Sequence, residues 1–189
     1  MTPLFQGSIY DFQKQRLAGA VAEVKALSAS DLLDPSLAGK LDKIADQHFN
    51  VAVATLRPEE RRGRHRDVPS QGTEFGRPVV RKVSYIDVTI PFNGDATSFS
   101  FAPSSSHVIM ENTLIQDGAI GVSLLDDSNL DKNVDDIIKR VGENLDRIRA
   151  EMEQWRPHAR KTLDQVAEQR IAELKAQKER DKGRSFPIN

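Results

Sequence analysis

The sequence predicts an α+β fold: an antiparallel sheet of about five strands, two N-terminal helices, and a long C-terminal helix or kinked helical arm. Three observations predict it. Apolar residues recur at steps of three and four near both ends of the chain. Between Val79 and Leu125 they alternate in twos instead. One Arg-, Gly- and Pro-rich stretch, Arg57–Pro78, carries neither period.

Taken in order, Ser8 is placed to cap a helix over Ile9–Leu27, with Leu17, Val21 and Val24 at helical spacing. Asp34-Pro35 predicts a second helix, with Asp at the cap, Pro in the first turn, and Leu37, Leu41 and Ile44 facing inward. Phe49–Val53 reads as a short strand. Arg57–Pro78 reads as a long, mobile surface loop. Val79–Ile90 is the strongest strand, ended by Pro91 and followed by an Asn93-Gly94-Asp95 turn. Thr97–Phe101 follows as a short strand. The strands His107–Ile115 and Ala119–Leu125 are joined by Asp117-Gly118, a strong hairpin signal.

From Asp131 to about residue 183 only Pro157 would stop a helix. Val134, Ile138, Val141, Leu145, Ile148, Met152, Trp155 and Ala159 form a narrow apolar seam along it. A straight helix from Asp131 to Asp181 would reach roughly 75 Å. The expected organisation is an α+β domain over 1–130, a helical arm over 131–183 kinked near Pro157, and a tail over 184–189.

Charge and composition narrow the function classes. Twenty-seven basic and 28 acidic residues give a net charge of −1, which argues against a protein-wide attraction to nucleic acid or acidic membranes. With no cysteine, the chain has no disulfide, no Cys-ligated zinc and no thiol nucleophile. No apolar run approaches the ~20 residues that span a bilayer, and Met1–Ser8 lacks the features of a secretory signal. A cytoplasmic protein without membrane contact is expected.

Three groups of residues are candidates for function. Val141, Leu145, Ile148, Met152 and Trp155 would form an interface for self-association or a helical partner; the alternative is that they cover the chain's own sheet. Arg61, Arg62, Arg64 and Arg66 would neutralise phosphates of a nucleic acid, although acidic neighbours dilute them and no aromatic is interleaved. Asp95, Ser104, Ser105 and His107 are the residue types of a hydrolytic triad, but no nucleophile elbow accompanies them. The four histidines lack metal-ligand spacing, and no phosphate-binding glycine loop is present. No catalytic residue, metal or cofactor is therefore assigned.

The run Ile90-Pro91-Phe92-Asn93-Gly94-Asp95, followed by Phe99-Ser100-Phe101-Ala102-Pro103-Ser104-Ser105, resembles a segment of bacterial restriction-nuclease-like proteins. In them an IPF-x-GD turn precedes an aromatic strand and a PSS sequence. Phe186-Pro187-Ile188 resembles the junction at which such proteins enter a separate nuclease-like or signalling domain. The resemblance implies the front module of a bacterial defence protein, with the effector in another domain or chain. The function expected from all of this is a non-catalytic interaction or oligomerisation module. A nucleic-acid-binding accessory protein using Arg57–Lys82 is the alternative, and a small hydrolase comes third.

Overall fold

Alternation in Val88-Thr89-Ile90 and Ile120-Gly121-Val122 sends the apolar side chains of neighbouring strands to one face of a sheet. The computed structural model, which describes residues 4–75, 77–105 and 113–182, is α+β as the sequence predicts. Its described elements run β1 (Gly7–Ser8), α1 (Ile9–Ala26), α2 (Ala29–Leu32), α3 (Leu37–Phe49), β2 (Thr55–Leu56), β3 (Arg62–Glu74), β4 (Arg77–Asn93), β5 (Phe101–Ala102), β6 (Thr113–Gln116), β7 (Ala119–Leu125) and α4 (Leu130–Lys182). Short 3-10 turns at Pro58–Glu60 and Ala96–Phe99 precede β3 and β5.

The chain divides into two compact units. One holds the described residues up to Ile9 together with Ala52–Arg149; the other holds Tyr10–Val51 and the described residues from Ala150 onward. The first 20 residues of α4 therefore pack in the first unit, because Val134, Ile137 and Ile138 join the sheet core. The division expected from the sequence, at residue 130, falls elsewhere for that reason.

The first unit is built on an antiparallel sheet in the order β2-β4-β7-β6, with β3 also pairing β4. Val88, Ile90 and Val122 are buried with Val134, and Leu56, Ile86 and Leu124 border them. Asp117 and Gly118, both at positive φ (50° and 75°), close the β6–β7 hairpin with Gln116 opposite Ala119. A two-stranded parallel pair, β1 with β5, lies apart from this sheet in the ladder pattern. Phe99 stacks edge-on against Phe92 at 4.8 Å and lies 6.1 Å from Phe5.

The second unit is helical. Ala20 and Val24 of α1, Leu41, Ile44 and Phe49 of α3, and Ala159, Leu163 and Ala167 of α4 make its core. Ser28 and Asp31 form a reciprocal capping box around α2, a four-residue helix absent from the sequence reading. Asp34 accepts from the Ser36 amide at 2.7 Å and so closes the turn before α3, instead of capping the helix itself.

Several expectations are corrected. Arg62–Glu74, read as loop, is a 13-residue strand in continuous register with β4, from Arg62 opposite Thr89 to Glu74 opposite Arg77. Its composition hides a strand because it lacks an apolar face: every residue but the half-buried Val68 is exposed. Phe49 ends α3, and Val53 makes only an isolated bridge to Asp95. Thr97–Phe101 is mostly a 3-10 turn, since Asp95 accepts from the Thr97 amide and caps it. The helix α4 continues through Pro157, which is exposed and sits inside it. Of the expected strand His107–Ile115, residues 107–112 lie outside the described residues, as do residues 183–189.

Candidate nucleic-acid interface

Residues directly opposite in an antiparallel ladder share a face, and side chains alternate along each strand. Arg62, Arg64 and Arg66 of β3 therefore share a face with Arg77, Arg81, Tyr85 and Asp87 of β4. Thr89 and, through the β4–β7 register, Gly121 and Ser123 continue it. Ile86, Val88, Ile90 and Val122 point to the opposite, core face. Five arginines thus lie on the open side of the sheet.

The sheet also changes width along β4. Pairing with β7 stops at Tyr85 opposite Leu125, whereas pairing with β3 continues to Arg77. Beyond Tyr85 the two strands form a ribbon, with Asp67–Glu74 on one side and Arg77–Ser84 on the other. At about 3.4 Å per residue these eight-residue arms extend roughly 27 Å. Phe75 occupies the turn at the end, fully exposed and at a φ of 50°.

Partners sort the cations. Arg66 donates from Nε and Nη2 to the two carboxylate oxygens of Asp87, at 2.8 and 3.1 Å, and its guanidinium lies 5.5 Å from the Tyr85 ring centre. That pairing, with a further hydrogen bond from the Ser123 hydroxyl, holds the Asp87 carboxyl below its ordinary pKa; Asp87 in turn raises that of Arg66. Arg81 pairs with Glu74 at 2.9 Å. Lys82 bonds Asp67, and with the Ser84 hydroxyl it lowers that carboxyl's pKa. Arg62, Arg64 and Arg77 have no ion-pair partner within 4 Å among the described residues. These three are the cations most available to an external anion.

Arg61, grouped with them from the sequence, lies before β3 and pairs with Asp135 of α4 at 2.6 Å. His65 falls on the core-side face with Ile86, 3.4 Å from Asp126. The sequence objection that no aromatic accompanies the arginines is answered by the register. Tyr85 lies directly opposite Arg66, although nineteen positions separate them in sequence.

The other candidate groups do not gather into sites. Val141, Leu145, Ile148 and Met152 are at most 1% exposed inside the chain's own core, so they offer no free seam. Trp155 packs edge-on against Phe49 at 5.0 Å. Asp95 accepts from the amide and hydroxyl of Thr97, at 2.8 and 2.7 Å, and its own amide donates to Ala52. It acts as a cap. Ser104 and Ser105 are exposed after β5, and His107 lies outside the described residues.

A depression on the helical unit, ≈510 Å³, is lined in part by Arg156 and Arg160. Arg156 donates to the carbonyls of Phe49 and Val51, and Arg160 pairs with Asp42 and Asp164. Its cations are already used. No cluster of three metal-ligating side chains occurs among the described residues, and no described helix is long and apolar enough to cross a membrane. Compared with protein-family models, with curated proteins and with solved structures, the chain matches none of them.

Proposed function

We propose that this chain is a non-catalytic binding module that contacts the phosphate backbone of duplex nucleic acid through the open face of β3 and β4. The observation that carries this reading is the shared face of Arg62, Arg64, Arg66, Arg77 and Arg81, three of which lack an ion-pair partner among the described residues. Arginine guanidinium groups on an exposed strand surface form charge-assisted hydrogen bonds to phosphate oxygens. A major groove admits a two-stranded ribbon of this kind. The near-neutral net charge does not oppose this, because binding depends on the local field of the ribbon. The likeness of Ile90–Ser105 to front modules of restriction-nuclease-like proteins agrees with service in a nucleic-acid-processing system.

The test is the anisotropy of a labelled DNA duplex titrated with the full chain at several salt concentrations. Affinity should fall with salt with a log–log slope of roughly −3 if Arg62, Arg64 and Arg77 each displace a counterion. Replacing these three by Ala should abolish binding with the circular dichroism unchanged. Undiminished binding by that variant, or no salt-dependent binding by the parent, would overturn the reading.

A second reading keeps the interaction module but moves its interface. The outer edge of β3 is unpaired along 13 residues among the described elements, and such an edge can accept a strand from a second chain. Light scattering after size exclusion would show a concentration-dependent dimer in that case, and a constant monomer mass would dismiss it.

A further inference from the structure

From the ribbon tip we infer that Phe75 is a wedge that inserts into a base step of duplex DNA; this rests on the nucleic-acid reading above and names how the duplex is engaged. One feature of this residue brings the chain itself no benefit. Its ring is fully exposed, although a phenylalanine gains most from burial. Its φ of 50° is the left-handed conformation that the two-residue turn between Glu74 and Arg77 requires, as at Asp117, and is no anomaly. A turn that only had to reverse the chain would need no aromatic ring there. Where a fully exposed ring stands at a projecting tip beside cations, contact with something outside the chain would give it the burial it lacks.

The surroundings specify what that contact is. Arg77 follows in the strand, faces Glu74, and has no ion pair within 4 Å among the described residues. Arg81 lies on the same face four residues on. Pro78, Val80 and Pro69 belong to the other face of the ribbon, where Val80 is 71% exposed. The tip therefore combines an apolar ring with guanidinium groups directly behind it. Proteins that kink duplexes place an apolar side chain between base pairs while cations hold the flanking phosphates. A ribbon two strands wide, projecting beyond the end of β7, can bring the ring to the base stack without a clash from the rest of the sheet.

The experiment uses the full chain and a duplex carrying 2-aminopurine beside a flexible TA step, where unstacking is easiest. Binding of the parent protein should raise the 2-aminopurine fluorescence as the base loses its neighbour. Phe75→Ala should abolish that rise and weaken binding about tenfold to a hundredfold, with the salt slope unchanged. Phe75→Trp should keep the rise. An intact rise and full affinity in Phe75→Ala would overturn the wedge while leaving the arginine face in place. Tighter binding of the corresponding single strand than of the duplex would also overturn it. If the parent binds no DNA at any salt concentration, the nucleic-acid reading itself has failed, and the inference fails with it.

Discussion

Arg66 clasps Asp87 across the β3–β4 ladder, with Nε and Nη2 each donating to a separate carboxylate oxygen at 2.8 and 3.1 Å. Asp87 lies directly opposite Arg64, so one carboxylate lies between two guanidinium groups on the open face. It is both a clamp on that face and a brake on its positive charge. Asp87→Asn should release Arg66 toward an external phosphate. We expect duplex affinity to rise about threefold to tenfold and the salt slope to steepen by about one. The thermal midpoint should barely move, because exposed ion pairs contribute little to stability. Anisotropy and calorimetry on the same samples check both halves.

Gly94 is held by backbone at close range. Its φ is +96°, and a Cβ there would lie 2.8 Å from the Ala52 carbonyl oxygen and 3.0 Å from the Ala54 Cα. Neither atom can move as a flexible side chain would. Gly94→Ala should destabilise the first unit by about 2 kcal/mol or more, combining the left-handed cost with the backbone clash. Chemical denaturation reads this directly; a variant as stable as the parent would show that the turn relaxes freely.

Ile148 and Leu145, the centre of the seam expected to bind a partner, are 0% and 1% exposed. Replacing Ile148 by Asp should therefore unfold the sheet unit instead of altering its mass in solution. Leu145→Ala should cost about 2–5 kcal/mol, as cavities in packed cores do. Circular dichroism melts and light scattering separate these outcomes from loss of an oligomer with the fold retained.

Asp31 carries the acid sensitivity of the α2 cap. Hydrogen bonds from Lys40 and Ser28 lower its pKa to about 2. The native state thus binds the proton less readily than the unfolded chain. Its stabilising contribution is fully present above the ordinary carboxylate range and disappears as pH falls through about 2. Thermal melts of the parent and Asp31→Asn should differ near about pH 5 and converge at about pH 2. A gap that persists at the acid end would assign the effect to packing.

Elements with a buried face were legible before folding. Val83–Ile90 and Ala119–Leu125 alternate because one side meets α4, and Leu37–Ile44 carries helical spacing because one stripe meets α1. Asp117-Gly118 was legible for a local reason, two positive φ angles in a row. The strand β3 was not. Its order comes from backbone pairing with β4, and ladder hydrogen bonds impose no pattern on side chains exposed on both faces. The arginines themselves could be seen, but not that Arg61 leaves them for Asp135 while Arg77 and Arg81 join them.

The sequence by itself determined the α+β class, the hairpin turn, the helical character of both ends and the concentration of arginine after residue 57. These follow from local propensity and from the period of apolar residues, which a single segment carries alone. Tertiary structure decided which surfaces remain open. The 3–4 seam of α4 has the same spacing whether it meets a second chain or its own core. Only packing showed that Val141, Leu145, Ile148 and Met152 are covered at home. Register likewise gathered five arginines from two strands onto one face, because cross-strand neighbours are set by the ladder and not by distance along the chain.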